Sequence, residues 1–344
     1  MRLAVTSDIH TDVNGPELLA ALVDRARELA PDVLLIIGDI ATSPTQYLST
    51  LLALRAVVPR LLVVAGNHDV WTTSEAAAKG LDSWARLDRL LPALAEEAGA
   101  ELLDRAPVEI DGVAILGSLG WFDFSTREHL LELPMEVYRK GNWGGLRWMD
   151  QVRAIWLEGE RRMEAEEVAQ RLRDRLAAQM RACTAQKLVV ATHMLAFAGQ
   201  IHRRDFPEWR FVNAYMGSLA MGELIRSDPR VVLHLAGHTH WSDVFDLVPK
   251  GKRQSFLPWR ELSPCLRPLR GSVGLVTTQA AAHAGVSGKK NARGYGFSLI
   301  ELGGDVPKVA TVQHGVGRVT ECPDDSLLDL AQKEQRSGSQ AVGL

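Results

Sequence analysis

Eight side chains able to bind a metal or carry a proton occur in this sequence at one kind of place, the residues directly after a short apolar run. Asp8 and His10 follow Leu3-Ala4-Val5-Thr6-Ser7, and Asp39 follows Val33-Leu34-Leu35-Ile36-Ile37-Gly38. Asn67 and His68 follow Arg60-Leu61-Leu62-Val63-Val64-Ala65-Gly66, with Asp69 next. His193 follows Lys187 to Thr192, and His238 and His240 follow Val231 to Gly237. Two carboxylates, one amide and up to five imidazoles form a mixed nitrogen and oxygen set. Such a set suits Mn²⁺, Fe or Zn²⁺ rather than Ca²⁺ or a metal selected by thiolates. Eight groups exceed the needs of one ion, and the two oxygens of Asp39 can bridge a pair.

The apolar runs read as strands buried on both faces, as in a parallel sheet. In an extended segment residues i and i+2 point the same way, so Asp8 and His10 converge, as do His238 and His240. His234 lies deeper inside its strand and reads as a hydrogen-bonded core histidine. Helical stripes separate the first strands, at Pro16 to Ala30 and roughly Thr45 to Val57, giving β-α-β-α-β with ligands at the strand ends. A further helix fits Gly80 to Ala98. Short strands near Val244 to Val248, Ser272 to Thr277, Tyr295 to Glu301 and Lys308 to Gln313 suggest a second sheet packed on the first. The reading is one domain over residues 1–322, with an inserted helical cap at about 122–186 and a polar tail at 323–344. The cap is expected to end in one long amphipathic helix that includes Val152, Ile155, Trp156, Met163, Val168, Leu172, Leu176 and Met180.

Bulk properties name no partner. Hydrophobic residues make up 46% of the chain and the net charge is −3. The 3 cysteines, Cys183, Cys265 and Cys322, are far apart and fit a reducing compartment, so cytoplasmic is the expected location. No apolar run approaches transmembrane length.

Asp8-x-His10, Gly38-Asp39, Gly66-Asn67-His68-Asp69, the single His193 and Gly237-His238-Thr239-His240 together resemble the calcineurin-like metallophosphoesterase superfamily. The five blocks appear in that family's order and span residues 8 to 240 of 344. The resemblance implies an α/β fold, a four-layer αββα sandwich of two packed mixed sheets flanked by helices. It also implies a dinuclear site. One metal would take Asp8, His10 and His240, and the other Asn67, His193 and His238, with Asp39 between them. His68, as an unliganded imidazolium, would be catalytic, with Asp69 orienting its ring. The implied reaction is phosphoester hydrolysis by a metal-bridging hydroxide, with two divalent ions, Mn²⁺ or Fe before Zn²⁺.

The substrate is read from weaker features. Within the expected cap, Trp121, Arg139, Trp143, Arg147 and Trp148 are candidates for stacking on a base and pairing with phosphate. Residues 250–296 hold nine Lys or Arg against Glu261 alone, a stretch that could follow a nucleic-acid backbone. The leading expectation is a phosphodiesterase acting on a nucleotide or nucleic-acid phosphodiester. A phosphomonoesterase, acting on a protein or a small molecule, is the alternative, and a metal-dependent binding scaffold without turnover is a third reading.

Overall fold

The computed structural model describes residues 1–240, 243–247, 267–268, 273–277, 295–302 and 308–314, and beyond 240 it describes side chains only for 297–302. The tail at 323–344 and most of the basic stretch at 250–296 lie outside the described residues. In chain order the strands are β1 (Arg2–Thr6), β2 (Val33–Ile37), β3 (Leu61–Val64), β4 (Glu101–Leu102), β5 (Val108–Ile110) and β6 (Val113–Ser118). They continue with β7 (Lys187–Thr192), β8 (Val231–Ala236), β9 (Asp243–Leu247), β10 (Arg267–Pro268), β11 (Val273–Thr277), β12 (Tyr295–Glu301) and β13 (Lys308–His314). One sheet runs β10-β13-β12-β1-β2-β3-β4 and the other β9-β11-β8-β7-β6-β5. Strands β1 to β4 are parallel, as are β6, β7, β8 and β11, with antiparallel strands at the margins of both sheets.

The alternation of side chains along each strand builds the layers. Leu3, Val5, Leu35, Ile37, Leu62 and Val64 face Ile115, Val189, Ala191, Leu233 and Leu235 across the gap between the sheets. Their neighbours Ala4, Leu34, Ile36 and Val63 turn outward onto α1 (Pro16–Leu29) and α2 (Pro44–Arg55), against Leu22, Ala26, Tyr47 and Leu51. Each of these helices begins with Pro in its first turn, where the missing N–H costs nothing. On the far side Leu116, Leu188 and Val190 meet Leu176 and Met180 of α3 (Ala165–Ala182), and Met221 and Ile225 of α4 (Leu219–Ser227). The result is the four-layer helix–sheet–sheet–helix arrangement that the sequence reading expected.

The elements differ from expectation in three places. Strands β12 and β13 belong to the first sheet, where β12 pairs antiparallel with β1, and only β9 and β11 of the late strands join the second. The second sheet is founded earlier, on β6, β7 and β8. The helix expected at 80–98 runs from 83 to 97 and widens to a π turn at Arg86–Leu90, just before Pro92, which has no N–H to continue the α pattern. Finally, the long helix starts only at Ala165. Glu164 and Glu167 form a reciprocal capping box there, and a two-strand hairpin (Leu157–Glu158 with Arg161–Arg162) precedes it. Val152, Ile155, Trp156 and Met163 therefore lie outside it. Trp121, Phe122, Phe124, Tyr138, Trp156 and Met163 share one apolar cluster with the outer face of the first sheet. Among the described residues no helix is long and apolar enough to cross a membrane.

His234 sits on β8 fully buried, in a network with one consistent proton arrangement. Gln200 uses its oxygen to accept from Ala196 and Phe197 N–H, leaving its amide NH₂ to donate to His234 Nδ1 at 3.3 Å. His234 Nε2–H then donates to Thr192 Oγ1 at 2.9 Å, whose hydroxyl donates to Met194 C=O at 2.6 Å. Burial lowers His234 to about 3, so the folded chain holds it neutral, whereas the unfolded chain protonates it below about 6.5. Stability from this group is present above pH 6.5 and is lost as pH falls toward 3. Its contribution at pH 5 should be about 2 kcal/mol lower than at pH 7.5. Denaturant unfolding of His234→Gln should lose that much less than wild type over the same interval, and equal losses would contradict the assignment.

Candidate metal centre

The five strand-end segments meet at one edge of the sandwich because their backbones approach unusually closely. A Cβ on Gly66 would lie 2.0 Å from Asp39 N, and one on Gly38 would lie 2.5 Å from His193 Nδ1. No side chain fits at either position, and Gly38 also holds φ +75°. Backbone bonds continue the alignment past the strands, from Asp8 N to Gly38 O, His10 N to Asp39 O, and Gly237 N to His193 O. Asp8, His10, Asp39, His238 and His240 all adopt positive φ, between 46° and 70°. Asp and His tolerate this region better than most residues, yet it still costs about 1 kcal/mol or more each. Strain gathered on these residues marks a site that the surrounding fold enforces.

The side chains form two groups that share Asp39. In the first, His240 Nε2 lies 3.4 Å from Asp8 Oδ1 and 3.3 Å from His10 Nε2. In the second, Asn67 Oδ1 lies 2.8 Å from His193 Nε2 and 3.0 Å from His238 Nδ1. Asp39 Oδ2 faces His10 at 3.6 Å, and Oδ1 faces His193 at 3.4 Å while accepting His68 N–H at 2.8 Å. Asp8/His10/His240 and Asp39/His193/His238 each bring their donor atoms within 4.8 Å of one another, the spread that one ion can gather.

The atoms left over fit a cation. Asp8 Oδ2 is occupied by Ser7 Oγ–H and His238 N–H, but buried Oδ1 has no hydrogen-bond donor, and neither does buried His238 Nε2 have a partner. His193 offers its Nδ1–H to Ile37 C=O at 2.8 Å, so the neutral ring turns an Nε2 lone pair toward Asn67 Oδ1 and Asp39 Oδ1. Three acceptors facing one another require either a proton or a positive ion. With a proton as the only cation, burial opposes the charge but Asp39 outweighs it and raises His193 to about 10. Asp39 itself overcomes its burial through His193, His68 and His10 and is held well below the usual carboxylate range. Burial keeps His238 neutral, at about 3.

All eight strand-end residues are brought together, and the structure bears on the roles given to His68 and to Asp69 beside it. Among the described residues no hydrogen bond joins Asp69 to the His68 ring. The Asp69 carboxylate accepts N–H bonds from Asp39, Ile40, Ala41 and Gly66 at 2.8–3.1 Å, clamping the two glycine turns. The His68 ring is instead stacked on Trp71, with centroids 3.7 Å apart, where a turn closes from Trp71 N to His68 O. Burial, only partly offset by Asp39, lowers His68 to about 4, so the ring is neutral near pH 7 rather than an imidazolium.

The other four cap candidates are placed as follows. Trp121 is buried between Phe122 and Trp156, Arg139 pairs with Glu166, and Trp143 packs near Phe211. Arg147 is exposed on the hairpin formed by Asn142–Trp143 and Leu146–Arg147. The residues found beside the cluster are Trp71, Trp148 and Asp150. Trp148 stacks on Tyr215 and points edge-on at His238, 6.2 Å between centroids. Trp148 is one of the aromatic residues that the sequence reading placed in the expected cap, and Trp71 was within reach, three residues past His68 in the same turn, whereas Asp150 follows no strand and carries no local signal.

A model of the calcineurin-like phosphoesterase family matches residues 1–242. Among solved structures the chain is similar to the phosphopantetheinyl hydrolase of Mycobacterium tuberculosis, with TM-score 0.59 and 17% identity over 81% of this chain and 89% of that one. It is also similar to a dimetal phosphatase from Danio rerio, with TM-score 0.45 and 13% identity over 92% of this chain and 99% of that one. The first likeness is one of fold. A sequence search of curated proteins gives no match.

The clamp formed by Asp69 makes a prediction distinct from that of a ring-orienting residue. Asp69→Ala strips four buried N–H groups of their acceptor and should destabilise the protein by on the order of 4 kcal/mol. An Asp69→Ala protein that unfolds at the wild-type denaturant midpoint, and loses turnover alone, would return Asp69 to His68.

Proposed function

The chain belongs to the calcineurin-like phosphoesterase family and is a metal-dependent phosphoesterase, and on that premise we propose that its substrates are phosphodiesters, foremost those of nucleotides or nucleic acid. The observation that carries this reading is the aromatic wall of the site. Trp71 and Trp148 are both half-buried, one against His68 and the other against His238. Flat apolar surfaces on two sides suit an ester with two organic substituents, one of them a ring that can stack.

In this reading Asp8, His10 and His240 hold one divalent ion and Asn67, His193 and His238 the other, with Asp39 shared, and Mn²⁺ or Fe is preferred. When bound, such ions lower the pKa of water and offset charge on phosphoryl oxygens. The chain's own residues do the rest. His193 is fixed in one tautomer by Ile37 C=O, which keeps Nε2 directed into the site. Neutral His68, with Nε2 3.9 Å from Asp39 Oδ2, offers an N–H hydrogen bond to a phosphoryl or leaving-group oxygen and so offsets the charge that builds there. Trp71 keeps the ring from turning away.

The test is hydrolysis with Mn²⁺ of bis-p-nitrophenyl phosphate, p-nitrophenyl phosphate, a 2′,3′-cyclic nucleotide and single-stranded DNA. Diesters should exceed the monoester in kcat/KM by about tenfold or more, roughly 1.4 kcal/mol of transition-state preference, and cleavage of the monoester alone would overturn the diester assignment. His68→Ala should retain two equivalents of Mn²⁺ while kcat falls by about 10²- to 10⁴-fold. Asp39→Ala should lose metal and activity together, and two ions still bound by that variant would contradict a shared ligand.

A further inference from the structure

One oxygen atom outside the strand-end motifs holds both Asn67 and the indole on which His68 is stacked. Asp150 sits in a single helical turn (Asp150–Arg153), 2% exposed. Its Oδ1 accepts the Asn67 amide Nδ2–H at 2.9 Å and the Trp71 indole Nε1–H at 2.6 Å. The Trp71 ring in turn lies on the His68 ring, 25° from parallel. The turn carrying Asp150 is pinned in place by backbone bonds, from Thr72 N to Arg153 O and from Ser83 N to Ile155 O, and by Ile155 N to Ser83 Oγ.

An Asn side chain has nearly the same shape when its oxygen and nitrogen are exchanged, so only hydrogen bonds decide which end it presents. Toward His193 and His238, Asn67 is useful as a ligand only by its oxygen. A carboxylate can only accept and an NH₂ can only donate. With Asp150 behind it, the flipped amide would set oxygen against oxygen on one side and NH₂ toward the ion on the other. We propose that Asp150 is a positioning residue that fixes the Asn67 amide with its oxygen toward the metal and, through Trp71, holds the His68 ring in place. This rests on the reading of Asn67 as a metal ligand. It assigns a function to a segment far from the strand-end blocks: the stretch around residue 150 completes the centre from behind.

The experiment titrates Mn²⁺ into metal-free wild type, Asp150→Ala and Asp150→Asn, each also in an Asn67→Asp background, and reads the affinity for the second equivalent. Asp150→Ala should weaken that affinity by about 10- to 100-fold, while Asp150→Asn, whose amide oxygen still accepts both N–H groups, should return it to within about threefold of wild type. In the Asn67→Asp background Asp150→Ala should bring no further loss, because a carboxylate presents an oxygen whichever way it turns. If the alanine variant does not fold, Asp150→Leu, of similar volume, replaces it. Wild-type affinity in Asp150→Ala, no recovery in a folded Asp150→Asn, or an equal loss in both backgrounds would each overturn the proposal. Wild type that binds fewer than two ions would instead sink the dinuclear reading and is recognised before any variant is compared.

Discussion

The whole centre depends on two backbone turns approaching more closely than side chains permit. Gly38 and Gly66 bring the ends of β2 and β3 together, and the carboxylate of Asp69 takes the four N–H groups that this approach leaves pointing inward. Once that contact is made, Asp39 has little freedom. Its amide is held by Asp69, its φ is forced positive, and its two oxygens are directed one to each group of imidazoles. The end of β1 attaches to this pair through backbone bonds, His193 through its ring N–H to Ile37 C=O, and the end of β8 through His193 O and the Asp8 carboxylate, so the candidate ligands are linked back to one glycine contact.

The price of this arrangement is strain and unmatched charge. Positive φ on five candidate ligands opposes folding, and so do buried acceptors turned toward one another. The sheets can sustain both because their strands are buried on both faces and the apolar gap between them is continuous. A cation set among these acceptors would relieve the electrostatic part.

The strand-end residues were legible because their signal is local: an apolar run, a glycine and polar residues at spacing one or two. The partition of side chains between sheets follows the same period of two, so the layers could be read as well. The allotment of β12 to the first sheet could not, since it pairs with β1 across almost 300 residues and its own pattern fits either sheet. The start of α3 was legible in principle, as Glu164 and Glu167 stand in capping-box spacing, but a run of earlier apolar residues masked it. Asp150 was hidden for a different reason. Its partners Asn67 and Trp71 lie 83 and 79 residues back along the chain, and a lone acidic residue in a single helical turn has no pattern to betray it. Trp121 and Arg139 show the converse, since the neighbours that occupy them, Phe122 and Trp156 for one and Glu166 for the other, leave no local mark in the sequence.

Each group of candidate ligands draws on both sheets: Asp8 and His10 with His240 in one, Asp39 and Asn67 with His193 and His238 in the other. The apolar layer between the sheets resists their separation but places little restraint on one sheet sliding over the other. Two ions at the shared edge would act as rivets through both plates, opposing that shear where the apolar layer does not. The cross-links also span most of the chain, joining residue 8 to residue 240. A metal-filled molecule should therefore yield to pulling or heat as one body, its two sheets failing together rather than peeling apart.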